Sequence, residues 1–278
     1  MQITLVEGFL HNFTTRAVVY GSPLCEPGPR GKEGLKLLLQ AYTRNVKGKP
    51  IFTEIRNLVD LAELQSTLCE CGFAFEEHLN YLIDLDLSEE AIWHNLSKKT
   101  RQHIHKSRES GLIIEDMSEA NDLPNAYRIL ERVYNRICVP LADVSLFKAA
   151  FKILLPRGMM KAFLVRKAQN CIGFNAFLLY KDRIYDWYRG SRRDYSAFQP
   201  ESLLLWAILQ WGRENQYHTF DFGGAGRPGE PYGPRVFKSR WGGRMVNFGR
   251  NTFTHSAERM TISRVGYKLG RFLFRTHI

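Results

Sequence analysis

The chain has 278 residues, 44% hydrophobic and 24% charged, with a net charge of +11. That is enough apolar content for a sizeable core in one or two domains, and it excludes a largely disordered chain. Five cysteines (Cys25, Cys69, Cys71, Cys138, Cys171), with no second close pair beside Cys69 and Cys71, exclude a disulfide framework and a structural zinc; a reducing compartment follows.

No stretch approaches the ~20 apolar residues of a membrane span. Residues 1–15 carry an acid and no basic cluster, so no signal peptide is expected and the location is read as cytoplasmic. Charge is uneven. From Arg235 onward ten Lys/Arg residues face one acid, Glu258, and a second basic run spans Lys98 to Arg108. Such clusters draw phosphates, nucleic acid or a lipid surface.

In chain order, residues 15–24 read as a strand and turn, 35–46 as a helix, 49–57 as a strand and 58–72 as a helix closed by Gly72. Residues 73–86 return to extended structure. The clearest helix spans 87–111, with Ser88 as its cap and Gly111 as its stop. Its Trp93, Leu96, Thr100 and Ile104 recur at core spacing, while Lys98, Arg101, His105 and Arg108 share another face. A short strand (112–117) and two helices (119–139 and 144–158) follow. Residues 160–193 then give an antiparallel meander with turns near 168–170 and 181–183. A helix over 200–215 opens on Pro200, and a strand over 217–224 runs into the glycine-rich segment 223–243. A further strand covers 244–253. Residues 262–278 read as a helix with Ile262, Val265, Leu269 and Phe272 on one side; docking on the body is preferred to a membrane-surface role. Alternating strands and helices predict an α+β or α/β fold with mixed central sheets flanked by helices. Segments 15–57 and 184–222 echo each other as strand, loop, helix, strand. The domain boundary is placed at 110/111.

Three places carry chemistry. Free amides at the start of the 200–215 helix, with Arg189, Arg192 and Arg193 nearby, suit an anion. Asp221 ends a strand, where Gly223 and Gly224 let a ligand approach backbone. Lys238, after Phe237, is placed to fold back beside Asp221 and neutralise a phosphate or a tetrahedral centre. The alternatives are a solvated loop, a turn-capping aspartate and a surface lysine. His78, His94, His103 and His105 give no metal site, since His103 and His105 point to different sides of a helix and no carboxylate sits at a matching step.

The stretch 186–224 followed by 236–243 resembles the Fem family of peptidoglycan-bridge aminoacyltransferases, which share the fold of the GCN5-related N-acetyltransferases (GNAT). The resemblance is carried by Tyr188, Gly190, Pro200, Trp206, Asp221 to Gly224, Phe237, Lys238, Gly242 and Gly243, and by Arg101, Gln102, Ile104 and Lys106 in the basic helix. It covers about residues 87–250. It implies tandem acetyltransferase-like domains, over 1–110 and 111–278, the first shorter than usual because only about fifteen residues precede the strand at 17–20. It implies an acyl- or aminoacyltransferase acting on an amine in cell-envelope or peptidoglycan precursor synthesis. Lys238 and Asp221 are the catalytic candidates. Tyr188, Arg189, Gly190, Gln199, Gly223, Gly224 and Phe237 are the donor-binding ones, and Lys98, Arg101, His105 and Arg108 the anion-binding ones. No tightly bound cofactor is expected; the donor is aminoacyl-tRNA or acyl-CoA. The partners are an anionic donor or nucleotide-linked precursor and, peripherally, the inner membrane face. The alternative reading is a non-catalytic nucleic-acid-binding or membrane-surface scaffold.

Overall fold

The computed structural model describes residues 2–4, 8–46 and 50–275, and the side chains of all of these except Phe9 and residues 267–275. The chain divides into two compact units, one of residues 1–79 with 247–278 and one of residues 80–246.

The first unit begins with β1 (Gln2–Thr4), α1 (His11–Thr14), β2 (Thr15–Tyr20), α2 (Pro29–Val46), β3 (Phe52–Arg56), α3 (Gln65–Glu70) and β4 (Ala74–Glu76). The second comprises β5 (Leu79–Asp84), α4 (Glu89–Asn95), α5 (Lys98–Glu109), β6 (Ile113–Asp116), α6 (Leu123–Arg136), α7 (Val144–Ile153), β7 (Met160–Lys167), β8 (Asn170–Tyr180), β9 (Arg183–Ser191), α8 (Pro200–Glu214), β10 (Thr219–Gly224), α9 (Gly233–Ser239) and β11 (Arg244–Asn247). The chain then returns to the first unit with β12 (Arg250–Thr254) and α10 (Ala257–Arg275).

In the first unit the strand order is β1-β2-β3-β12-β4. β2 and β3 are parallel, joined by the crossover helix α2, and β12 runs antiparallel between β3 and β4. Leu35 and Leu39 of α2, Leu68 of α3, Ile55 and Phe73 form its core.

The second unit is a seven-stranded mixed sheet, β11-β5-β10-β9-β8-β7-β6. Strands β6 to β9 form the antiparallel meander, and β9 and β10 are parallel, joined by α8. The echo between 15–57 and 184–222 is thus a shared strand–helix–strand crossover, one in each sheet. Helix α8 buries Leu203, Leu204, Leu205, Trp206, Ile208 and Leu209 against one face of the sheet. Each such side chain contributes about 1.5–3 kcal/mol by leaving water. Helices α6 and α7 cover the other face through Leu123, Ala126, Leu130, Phe147 and Phe151. Gly173 lets β8 lie close beneath α8, since a Cβ there would meet Val165 at 2.6 Å and Leu204 at 3.2 Å.

The division differs from a boundary at 110/111. Residues 80–110 belong with 111–246 because β5 pairs with β10 and α5 packs on α8. Residues 247–278 belong with the first unit because β12 pairs with β3.

Local differences have local causes. The 87–111 helix is two helices, broken at Leu96–Ser97. Ser88 caps the first by accepting from the Ala91 amide, and Ser97 caps the second by accepting from Thr100. Residues 58–72 shorten to a 3-10 turn and the six-residue α3. Residues 244–253 split into β11 and β12, which lie in different sheets, with Gly249 at φ 65° between them. Ile262 and Val265 of α10 are exposed rather than packed on the body; Leu269 and Phe272 lie outside the described side chains, and residues 276–278 outside the described residues. Among the described residues no helix is long and apolar enough to cross a membrane.

Candidate active site

Strands β9 and β10 pair only through Arg183, Ile184 and Tyr185 against Thr219, Phe220 and Asp221. Beyond that point β9 continues through Ser191 on its partner β8, with a bulge that leaves Trp187 unmatched between Asp186 and Tyr188. Strand β10 continues to Gly224 with its own register break against β5 after Asp221. The two parallel strands therefore splay apart, and the carbonyls of β10 beyond Asp221 lack a β9 partner.

Lys238 fills that need. The glycine-rich segment contains the short helix α9, whose Pro234 fits a first helical turn. It turns back so that Lys238 Nζ donates to the carbonyl of Phe222 and, at 2.8 Å, to that of Gly224. The ammonium is buried, and burial, opposed by Asp186 and Asp221 and aided by nearby Arg189, pulls its pKa down to about 8. An ammonium has three donors. Two are held by backbone, and the third has no hydrogen-bond partner among the described residues.

Arg189 lies alongside. Its guanidinium stacks 5.3 Å from the Phe222 ring and 5.2 Å from the Phe237 ring, and its Nη1 is 3.2 Å from Asp186. That nitrogen is buried and makes no hydrogen bond of good geometry, so the contact with Asp186 is an ion pair by distance only. Asp186 in turn accepts from Asn175 Nδ2 at 3.1 Å. Sequence reasoning missed Asp186 and Asn175; the bulge at Trp187 brings Asp186 to the side of Arg189, which regular alternation along β9 would not do.

Asp221 does not share a groove with Lys238. Its carboxylate accepts from the Gly223 amide at 2.7 Å and lies 3.4 Å from Asn80 Nδ2, and burial pushes its pKa up. It holds the turn in which Gly223 takes φ 72°. The turn folds back as expected, yet the two side chains end on different partners, and neither lines any of four cavities in the second unit.

One of those cavities, of about 280 Å³, opens at the start of α8. Gln199, Pro200, Glu201 and Ser202 line it together with Phe237, Arg240, Thr100 and His103. Gln199 adopts the left-handed conformation (φ 56°) and no side chain caps the helix. The buried Ser107 hydroxyl lies 2.9 Å from the carbonyls of Phe198 and Gln199, tying this turn to α5. Burial, with Lys99, Arg240 and Lys106 nearby, holds the His103 imidazole below its ordinary range. A helix N-terminus beside cationic groups favours an anion.

The remaining expected residues divide. Gln199 and Phe237 line this cavity, Arg189 stands in the splay, and Gly224 contributes the carbonyl held by Lys238. Tyr188 instead packs against Phe147, Tyr134 and Trp187 in the layer under α6 and α7. Gly190 serves close packing, since a Cβ would meet Val133 at 3.1 Å. The anion-binding face of the basic helix is displaced. Arg101 Nη1 donates to the carbonyls of His94 (3.0 Å) and Leu96 (2.5 Å), closing the end of α4. The ring of exposed His105 meets Trp93 edge-on. Lys98 and Arg108 are exposed and line none of the four cavities. The cavity lies on the Thr100–His103 side of the same helix.

A meander feeding a parallel, splayed strand pair, with the crossover helix starting at the mouth of the splay, is the architecture of an acyltransferase fold. The family model for the acetyltransferase (GNAT) domain matches residues 94–239, and the chain belongs to that family. A search of curated proteins finds no match. Among solved structures the chain is similar to FemX (TM-score 0.68, 16% identity, covering 86% of this chain and 81% of that one). It is also similar to L-PGS from Bacillus licheniformis (TM-score 0.60, 15% identity, 90% and 82%). A tandem GNAT protein from the clavulanic acid biosynthesis pathway matches with TM-score 0.53 and 11% identity (84% and 73%). At these identities the likeness is one of fold.

Proposed function

We propose that the protein transfers an activated acyl or aminoacyl group from a thioester or ester donor, acyl-CoA or aminoacyl-tRNA, to an amine acceptor, in the synthesis of a cell-envelope precursor. The observation that carries this reading is Lys238 held at the β9–β10 splay by the carbonyls of Phe222 and Gly224, with one N–H left over. The resemblance of the surrounding motifs to the Fem family supports the choice of acceptor.

The donor's carbonyl enters the splay and its phosphates lie against the start of α8, near Arg240 and His103. The acceptor amine attacks the carbonyl carbon, and the carbonyl π pair moves to oxygen. The free N–H of Lys238 donates to that oxyanion, a contact stronger in the transition state than in the ground state. When the oxyanion collapses, the bond to the leaving sulfur or ribose oxygen breaks, and the amine's proton goes to solvent or to the leaving group. Arg189, fixed between two aromatic rings, adds positive charge without having to move. Asp221 acts through the Gly223 turn as a positioning residue.

Mass-spectrometric screening of the protein with CoA thioesters and charged tRNA, each with a panel of amines, tests this. Transfer by the native protein that is lost in Lys238→Met supports it. Absence of transfer from every donor, in a folded protein, overturns it.

A further inference from the structure

Arginines crowd a groove that this reading of the donor site leaves unused. Helix α6 presents Arg128, Arg132 and Arg136 at steps of four, away from its buried Ala126 and Leu130. They meet Arg166 of β7 and Arg192 and Arg193, which follow β9. Two cavities, of about 190 and 270 Å³, share Ile129, Arg132 and Arg192 in their walls and so form one groove. Amide side chains of Asn125, Gln169 and Asn170 line the first.

Little negative charge offsets this. Arg166 pairs with Glu115 and Asp122, and Arg192 pairs with Asp194 at 2.5 Å. Arg128, Arg132, Arg136 and Arg193 form no ion pair among the described residues. Asp194 is the one carboxylate among the lining residues. Six arginines against these three acids leave a surplus of three positive charges. Like charges at steps of four repel along a helix, and an anion lying across them relieves that repulsion. Arginine forks also match phosphate oxygens bidentately. The groove meets the cavity at the start of α8 in one residue, Ser191, which lines both.

We infer that the groove between α6 and the end of β9 is a second anion site, which takes a pyrophosphate ester. The charge surplus is spread over two adjoining cavities, which suits two linked phosphates better than one. The ester is either the donor's own pyrophosphate, lying past Ser191 instead of against the start of α8, or part of a separate pyrophosphate-bearing acceptor. The assignment of donor and acceptor rests on the proposed function; the anion site itself does not.

Isothermal titration of the full chain with inorganic pyrophosphate, at low and high salt, tests the site. The native protein is expected to bind, more weakly as salt rises. The triple variant Arg128→Gln/Arg132→Gln/Arg136→Gln is expected to bind at least tenfold more weakly or to lose one equivalent, with its unfolding temperature unchanged. Arg240→Gln, which alters only the α8 cavity, retains the groove's binding. Repeating the titration with saturating CoA separates the sources: displacement assigns the groove to the donor, and additional binding assigns it to a second ligand. Absence of binding, or identical titrations for the native protein and the triple variant, overturns the inference. Loss of transfer in Lys238→Met with pyrophosphate binding intact leaves the groove standing, so the two readings fail separately.

Discussion

Replacing Lys238 by Met separates the chemistry of this residue from its structural role. Two changes oppose each other in the fold. The carbonyls of Phe222 and Gly224 lose their buried donor, which costs about 1–3 kcal/mol each. The protein also no longer buries an ammonium whose pKa is pulled from 10.5 to about 8. At neutral pH that relief is on the order of 3 kcal/mol, at roughly 1.4 kcal/mol per pKa unit. The net change therefore lies between about 1 kcal/mol of stabilisation and 3 kcal/mol of destabilisation, roughly a 4 °C rise to a 12 °C fall in unfolding temperature for a unit of this size. Transfer is different, because the oxyanion loses its donor outright, and such a loss typically costs about 10²–10³ in rate. The assay is single-turnover acyl transfer followed by mass spectrometry, beside thermal unfolding by circular dichroism, well below the variant's transition. A variant that stays folded and transfers within tenfold of the native rate would refute the role assigned to Lys238.

Other outcomes follow from the same geometry. If the ammonium form of Lys238 is the working form, kcat/KM falls as pH rises through about 8, and Lys238→Arg pushes that limb to higher pH. The folded pKa is depressed, so the unfolded chain binds more protons at this lysine between about pH 8 and 10.5, and the stability of the native protein relative to Lys238→Met should rise with pH across that window. Asp221→Asn keeps an oxygen for the Gly223 amide, so transfer within tenfold of native is expected, whereas a general base would lose far more. Arg101→Ala uncaps the end of α4 and is expected to lower stability by about 1–3 kcal/mol in denaturant unfolding, with pyrophosphate binding unchanged.

The meander was legible in the sequence because its turns are marked by polar breakers, and both turns place a non-glycine residue at positive φ, Ala168 and Lys181. The strand–helix–strand crossovers were legible because α2 and α8 carry helical apolar spacing between β-rich segments. Helix α9 was hidden because glycine and proline dominate its approach, and seven residues are too few for periodicity to register. The break at Ser97 was hidden because Leu96, Thr100 and Ile104 stay in phase across it. At the site, Lys238 drew notice through its motif, but its burial did not, since lysine is seldom buried without a partner. The α6 arginines carry no motif in the sequence; what distinguishes them is the approach of Arg192 and Arg193, some sixty residues further along the chain.

The interrupted first unit has a consequence for how the protein is made. Its sheet places β12 between β3 and β4, yet β12 leaves the ribosome only after the whole of residues 80–246. At about 5–20 residues per second, β3 and β4 wait roughly 10–35 s for their central neighbour. During that interval the contiguous second unit can complete itself, while the first presents an open strand edge of the kind that invites mispairing. Nascent chains stalled before residue 250 should therefore need chaperone protection that the finished protein does not.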